Sequence, residues 1–197
     1  MTSATTTTIA PVGDASSETG GRTALVAAAA LGAAVSLSLG VYGRVHGPTG
    51  EAIFQLGFPT MLSMKAWMTT LAAALGLTQA ATAAWLWGRL PRAGAAPRWV
   101  APAHRWTGTL AFFATLPVAY HCLWALGFQT TTVRVLAHSI LGCAFYGVLA
   151  SKLLLLRSDR LPGTALPAAG AILVAVLTGV WFTSSLWFFT TIGFPGL

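Results

Sequence analysis

The sequence predicts an all-α integral membrane bundle of five transmembrane helices, with the N-terminus cytoplasmic and the C-terminus outside. Three observations predict it. Only 8% of the 197 residues are charged, roughly a third of the share in a soluble domain. The chain is 55% hydrophobic with a mean hydropathy of +0.72. All four acids (Asp14, Glu18, Glu51 and Asp159) fall outside five apolar runs, each near the ~20 residues that cross a bilayer. A soluble globule, a nucleic-acid-binding domain and a disordered chain are thereby excluded. The formal charge of +7 reports membrane topology rather than affinity for nucleic acid.

From the N-terminus, residues 1–22 are rich in Thr, Ser and Gly and read as a disordered tail. They carry no basic segment ahead of the first apolar run, so that run reads as a retained span rather than a signal peptide. The five-helix transmembrane domain covers 23–197, with helices at about 23–43, 65–88, 104–128, 132–156 and 167–190. Helix is the only state that satisfies the backbone of such runs in lipid.

Eight basic residues belong to one side: Arg22, Arg89, Arg92, Arg98, Arg105, Lys152, Arg157 and Arg160. Three belong to the other: Arg44, Lys65 and Arg134. The larger group marks the cytoplasmic face of the plasma membrane. Tryptophans near helix ends form an interfacial belt, with Trp85, Trp87, Trp99 and Trp106 inside and Trp124 and Trp187 outside. The triplets Leu56-Gly57-Phe58, Leu126-Gly127-Phe128 and Ile192-Gly193-Phe194 each fall at the outer boundary and read as a recurring interfacial turn. Cys122 and Cys143 read as small buried hydrophobes, with a redox or ligand role as the alternative. Their separation in depth, ~9 Å along straight helices, is too great for a disulfide.

Four histidines carry the chemistry. His46 lies in the loop after helix 1, and His104 at the cytoplasmic start of helix 3. His121 and His138 lie within helices 3 and 4, where an ionisable group is a functional candidate. Helices 3 and 4 form a hairpin turning near Gln129-Thr130, and the midpoint of positions 121 and 138 falls on that turn. The two imidazoles therefore share one depth, ~12 Å below the turn in the outer half of the membrane. Two imidazoles at equal depth are what the two axial positions of one haem require. Arg134, one turn outward of His138, together with Lys65 and Arg44, supplies cations for the propionates. Gly142, one turn inward, leaves room for a macrocycle, and Pro117 is placed to kink helix 3. The plainer reading is that the two histidines bond to each other or to hydroxyls across the helix interface.

His104-Arg105-Trp106-Thr107-Gly108, then Pro117 through His121, then His138 with Gly142, resemble membrane b-type cytochromes of the ferric-reductase-like and ascorbate-reducible kinds. The likeness covers helices 3 and 4. The Ala-rich, Arg-over-Lys composition also resembles an uncharacterised actinobacterial multi-pass membrane family. The cytochrome resemblance implies one haem b per chain, and electron transfer with a quinone or an extracytoplasmic redox protein. Such a chain can also be the cytochrome b subunit of an oxidoreductase. It departs from those cytochromes in having one matched histidine pair rather than two, and no flavin or nicotinamide motif. A second expectation, of another class, is a cofactor-free structural or assembly subunit of a larger membrane complex. A cation-coupled transporter ranks below both, since no intramembrane carboxylate is present.

Overall fold

A computed structural model describes residues 13–159 and 161–194, with side chains from Thr19 onward. Among these residues there are helices and loops and no strand. The helices are α1 (Gly13–Val45), α2 (Met61–Leu86), α3 (Val100–Tyr120), α4 (Val133–Leu155), α5 (Ala165–Trp181) and the short α6 (Trp187–Thr191). A π-helical turn, His121–Leu126, continues α3, and another, Phe182–Leu186, joins α5 to α6.

Local chemistry accounts for the ends. Thr60 and Thr132 cap α2 and α4, their hydroxyls accepting from the Ser63 and Val135 amides at 3.1 and 3.2 Å. Pro102 and Pro167 fall near the starts of α3 and α5, where a missing N–H costs nothing. Gly57, Gly127 and Gly193, the centres of the three boundary triplets, all adopt positive φ (84°, 70° and 94°). The triplets are thus turns that need glycine.

The expected tail at 1–22 is replaced by helix from Gly13 onward; residues 1–12 lie outside the described residues, as does Arg160. Among the described residues, four stretches are long and apolar enough to cross a membrane: Thr19–Val45, Val100–Leu126, Val133–Leu155 and Ala165–Thr191. Their outer faces present large apolar side chains such as Leu37, Phe113, Val133 and Ile172. This is the surface of a multi-pass membrane protein. The fifth expected span, α2, is long enough but more polar, carrying Ser63, Lys65, Thr69, Gln79 and Thr82.

Those polar groups face inward and join α2 to its neighbours. Gln79 Nε2 donates to the His104 carbonyl and, at 2.6 Å, to Thr107 Oγ1. Trp181 Nε1 donates to Thr70 Oγ1 at 3.0 Å, and Ser185 Oγ to the Ala66 carbonyl at 2.9 Å. Helix α3 lies against α2, α2 against α5, α5 against α4 and α4 against α1, and the π turn after α3 meets α1. The consecutive helices α3 and α4 make only glancing contact. The expected close hairpin is therefore opened, because its two arms pack on opposite sides of the ring.

Helices α1 and α4 cross where both are small. Gly32 and Ser36 meet Gly147 and Ser151, and Ser151 Oγ donates to the Ala28 carbonyl at 2.7 Å. A Cβ on Gly32 would stand 2.7 Å from the Gly147 carbonyl oxygen. Membrane helices without a hydrophobic driving force rely on such backbone approach. Gly147→Leu is expected to lower stability by about 1–3 kcal/mol, read as a lower denaturation midpoint in detergent, while Gly170→Leu, with open space at its Cβ position, leaves the midpoint within error.

Candidate functional site

The gap between α3 and α4 is a cavity of about 140 Å³. Its wall includes Lys65 and Thr69 from α2, Thr115, Val118 and Cys122 from α3 and its π turn, His138, Gly142 and Cys143 from α4, and Val180 from α5. Gln129 and Ser139 stand at the end nearest the loop between α3 and α4, and Thr115 and Tyr146 at the opposite end, joined by a 2.9 Å hydrogen bond from the tyrosine hydroxyl. Ser139 to Tyr146 is two helical turns, so the slot runs ~10 Å along the bundle.

The π turns set which side chains enter it. Each holds an extra residue in its turn and so shifts the register of the residues beyond it. At the end of the first, the Trp124 and Ala125 carbonyls, free as the last carbonyls of any helix are, accept from the loop amides of Thr49 and Gly50, at 3.4 and 2.9 Å. The second leaves the Thr183 carbonyl, which accepts from Arg134 Nη1 at 2.6 Å. Thr183 Oγ1 donates to the Gly179 carbonyl at 2.8 Å, so toward His138 Nδ1, 3.2 Å away, it acts as acceptor. The proton of His138 is thereby assigned to Nδ1, and Nε2 presents a lone pair. That lone pair faces Cys122 Sγ at 3.9 Å. Lys65 and the Cys122 thiol line the same cavity. The lysine is 9% exposed, and among the described residues no carboxylate is paired with it.

The candidates named from the sequence divide. Lys65, His138 and Gly142 are on the cavity wall, and a Cβ at Gly142 would meet nothing within 4 Å. His121, Arg134 and Arg44 are not on it. His121 is fully buried, with Nδ1 donating to the Pro117 carbonyl at 2.8 Å and Nε2 left without a partner. Its ring lies under the first loop, edge-on to Phe54 at 4.6 Å. Arg134 is committed to the Thr183 carbonyl and stacks 4.0 Å over Trp187, and Arg44 is exposed at the end of α1.

The chain belongs to the DUF6529 family. The family is one of unknown function, and its profile matches residues 25–196. No curated protein and no solved structure matches the chain. In this DUF6529 member the remaining histidines serve the bundle's ends. His104 Nδ1 donates to Thr82 Oγ1 at 2.8 Å, whose own proton goes to the Thr78 carbonyl. His46 stacks between Tyr42 and Trp124, at 5.1 and 4.4 Å.

Sequence reasoning missed Thr183 as a neighbour of His138 and read Cys122 first as a buried hydrophobe. For Cys122 a signal was available: positions 122 and 138 straddle the 129–130 turn to within one residue, so Cys122 lies close to the depth of His138. Thr183 had none, because its place depends on a π turn. Thr183→Val removes the acceptor for His138 Nδ1 and is expected to cost about 1–3 kcal/mol in detergent denaturation, whereas Thr183→Ser retains most of the stability.

Proposed function

We propose that this chain is a five-span plasma-membrane b-type cytochrome, N-terminus cytoplasmic and C-terminus outside. One haem b sits in the slot between α3 and α4, and electrons pass singly between a membrane quinone and an extracytoplasmic redox partner. The observation that carries the reading is the slot itself. Two consecutive helices are held apart, an imidazole with its free Nε2 stands in the wall, and one turn inward a glycine leaves open space.

The slot offers one imidazole and one cation to a ligand, and as it stands it is too small for a macrocycle. The slot is elongated, as a flat ligand requires. Its volume of about 140 Å³ is below the ~300–1,000 Å³ of ordinary ligand pockets. A macrocycle therefore enters by parting α3 and α4, which have little mutual contact to lose. Haem iron, when bound, supplies reversible one-electron chemistry.

The chain's own residues do the rest. Thr183 holds the His138 ring in the tautomer that presents Nε2 to the slot, as a partner on the second nitrogen does for metal-ligating histidines. Lys65 places the one positive charge on the wall against an anionic part of the ligand. Leu39, Val118, Val135 and Leu177 exclude water from the slot. The partner on the α3 side comes from the π turn that carries both His121 and Cys122.

Protein purified from haem-replete cells is expected to show dithionite-reducible α and Soret bands, with about one haem per chain by pyridine haemochrome assay. His138→Ala is expected to remove the bands while His46→Ala retains them. A colourless wild-type preparation would sink the reading and favour the cofactor-free subunit.

A further inference from the structure

The loop that joins α2 to α3, residues 87–99, carries Arg89, Arg92 and Arg98, and Arg105 follows near the start of α3. All four are exposed. No acid occurs between Glu51 and Asp159, so this segment holds no counter-charge of its own. The opposite end of the bundle differs. There Arg134 is committed to the Thr183 carbonyl and to Trp187, and Arg44 stands exposed on the last turn of α1.

The loop has its form before any ligand arrives. Gly88 and Gly94 turn the chain at positive φ (64° and 63°). The Arg89 amide donates to the Ala84 carbonyl at 2.8 Å, the Ala93 amide to the Leu90 carbonyl at 3.2 Å and the Val100 amide to the Pro97 carbonyl at 3.0 Å. Trp85 fastens the middle of the loop. Its indole Nε1 donates to the Gly94 carbonyl at 3.2 Å, and its ring meets Trp99 edge-on at 5.8 Å. The arginines are therefore displayed from a backbone with hydrogen bonds of its own, which lowers the ordering cost of binding.

Three large rings accompany the arginines. Trp87, Trp99 and Trp106 are 50%, 60% and 69% exposed. Indole rings left uncovered at the end of a span belong at the depth of lipid headgroups. A phosphate at that depth matches a guanidinium, which takes two of its oxygens at once. A soluble anion uses the arginines and leaves the indoles unmatched, whereas a phospholipid uses both.

We propose that the loop joining α2 to α3 is a docking surface for anionic phospholipids, with Arg89, Arg92, Arg98 and Arg105 on the phosphate headgroups and Trp87, Trp99 and Trp106 at the interfacial level beside them. The inference is independent of the haem reading.

The test uses the full chain in a mild detergent, offered an equimolar mixture of phosphatidylglycerol and phosphatidylcholine with matched acyl chains, and counts retained lipids by native mass spectrometry. Phosphatidylglycerol is expected to be retained in excess, the excess shrinking as salt screens the charges. Arg89→Gln, Arg92→Gln and Arg98→Gln are each expected to lower that preference by up to about fivefold, while Arg44→Gln leaves it unchanged. Equal retention of the two lipids by the wild type overturns the proposal, with no variant needed. A preference that survives the three loop replacements together also overturns it, as does one that Arg44→Gln lowers equally, since net charge alone then sets it. Displacement of phosphatidylglycerol by inorganic phosphate at matched concentration assigns the arginines to a soluble anion and overturns the lipid assignment.

Discussion

Lipid offers no hydrogen bonds, and that constraint organises this bundle. A polar group on a spanning helix is costly unless it finds a partner on the same helix or a neighbour. Helix α2 concentrates those groups, and they act as its fastening. Gln79 and Thr82 hold α3 through residues 104–107, while Thr70 and the Ala66 carbonyl hold α5 through Trp181 and Ser185. Helix α4 is held from the other side, by the small-residue crossing with α1. With α3 committed to α2 and α4 committed to α1 and α5, the two arms of the 3–4 hairpin cannot close on each other. The cavity is what remains between them.

The two π turns serve that cavity. A π turn interrupts the ordinary helical ladder. The carbonyls at the end of the first accept from the first loop, and the Thr183 carbonyl of the second accepts from Arg134, so each irregularity is anchored by a different part of the chain. One turn comes after Pro117, which cannot donate to the preceding turn. It puts Cys122 on the wall and His121 under Phe54. The other puts Thr183 beside His138. Arg134 is bonded to the carbonyl of Thr183, whose hydroxyl meets the His138 imidazole.

The fold was largely legible. The helix positions agree with the apolar runs, since a run of ~20 apolar residues has few alternatives in lipid. The chief difference at an end is at α1, where helix extends through Gly13–Arg22 although their composition is that of a tail. The site was legible in depth and illegible in azimuth. Distance from the turn selects a layer of the bundle, and residues 121 and 122 occupy the same layer. Which of them faces α4 depends on a rotation of ~100° per residue, and a single π turn is enough to exchange them.

By itself, then, the sequence determined that the chain is a bundle of apolar helices free of intramembrane acids. It also determined that the polar groups worth attention lie at one depth in helices 3 and 4. Those properties come from composition and from distance along the chain, which are local. Only the tertiary structure decided that α3 and α4 stand apart, that Lys65 and a thiol line one cavity, and that Cys122 rather than His121 meets His138. These depend on which helices pack against which and on the rotation of each about its axis. Both are set by hydrogen bonds and close approaches between residues far apart in sequence.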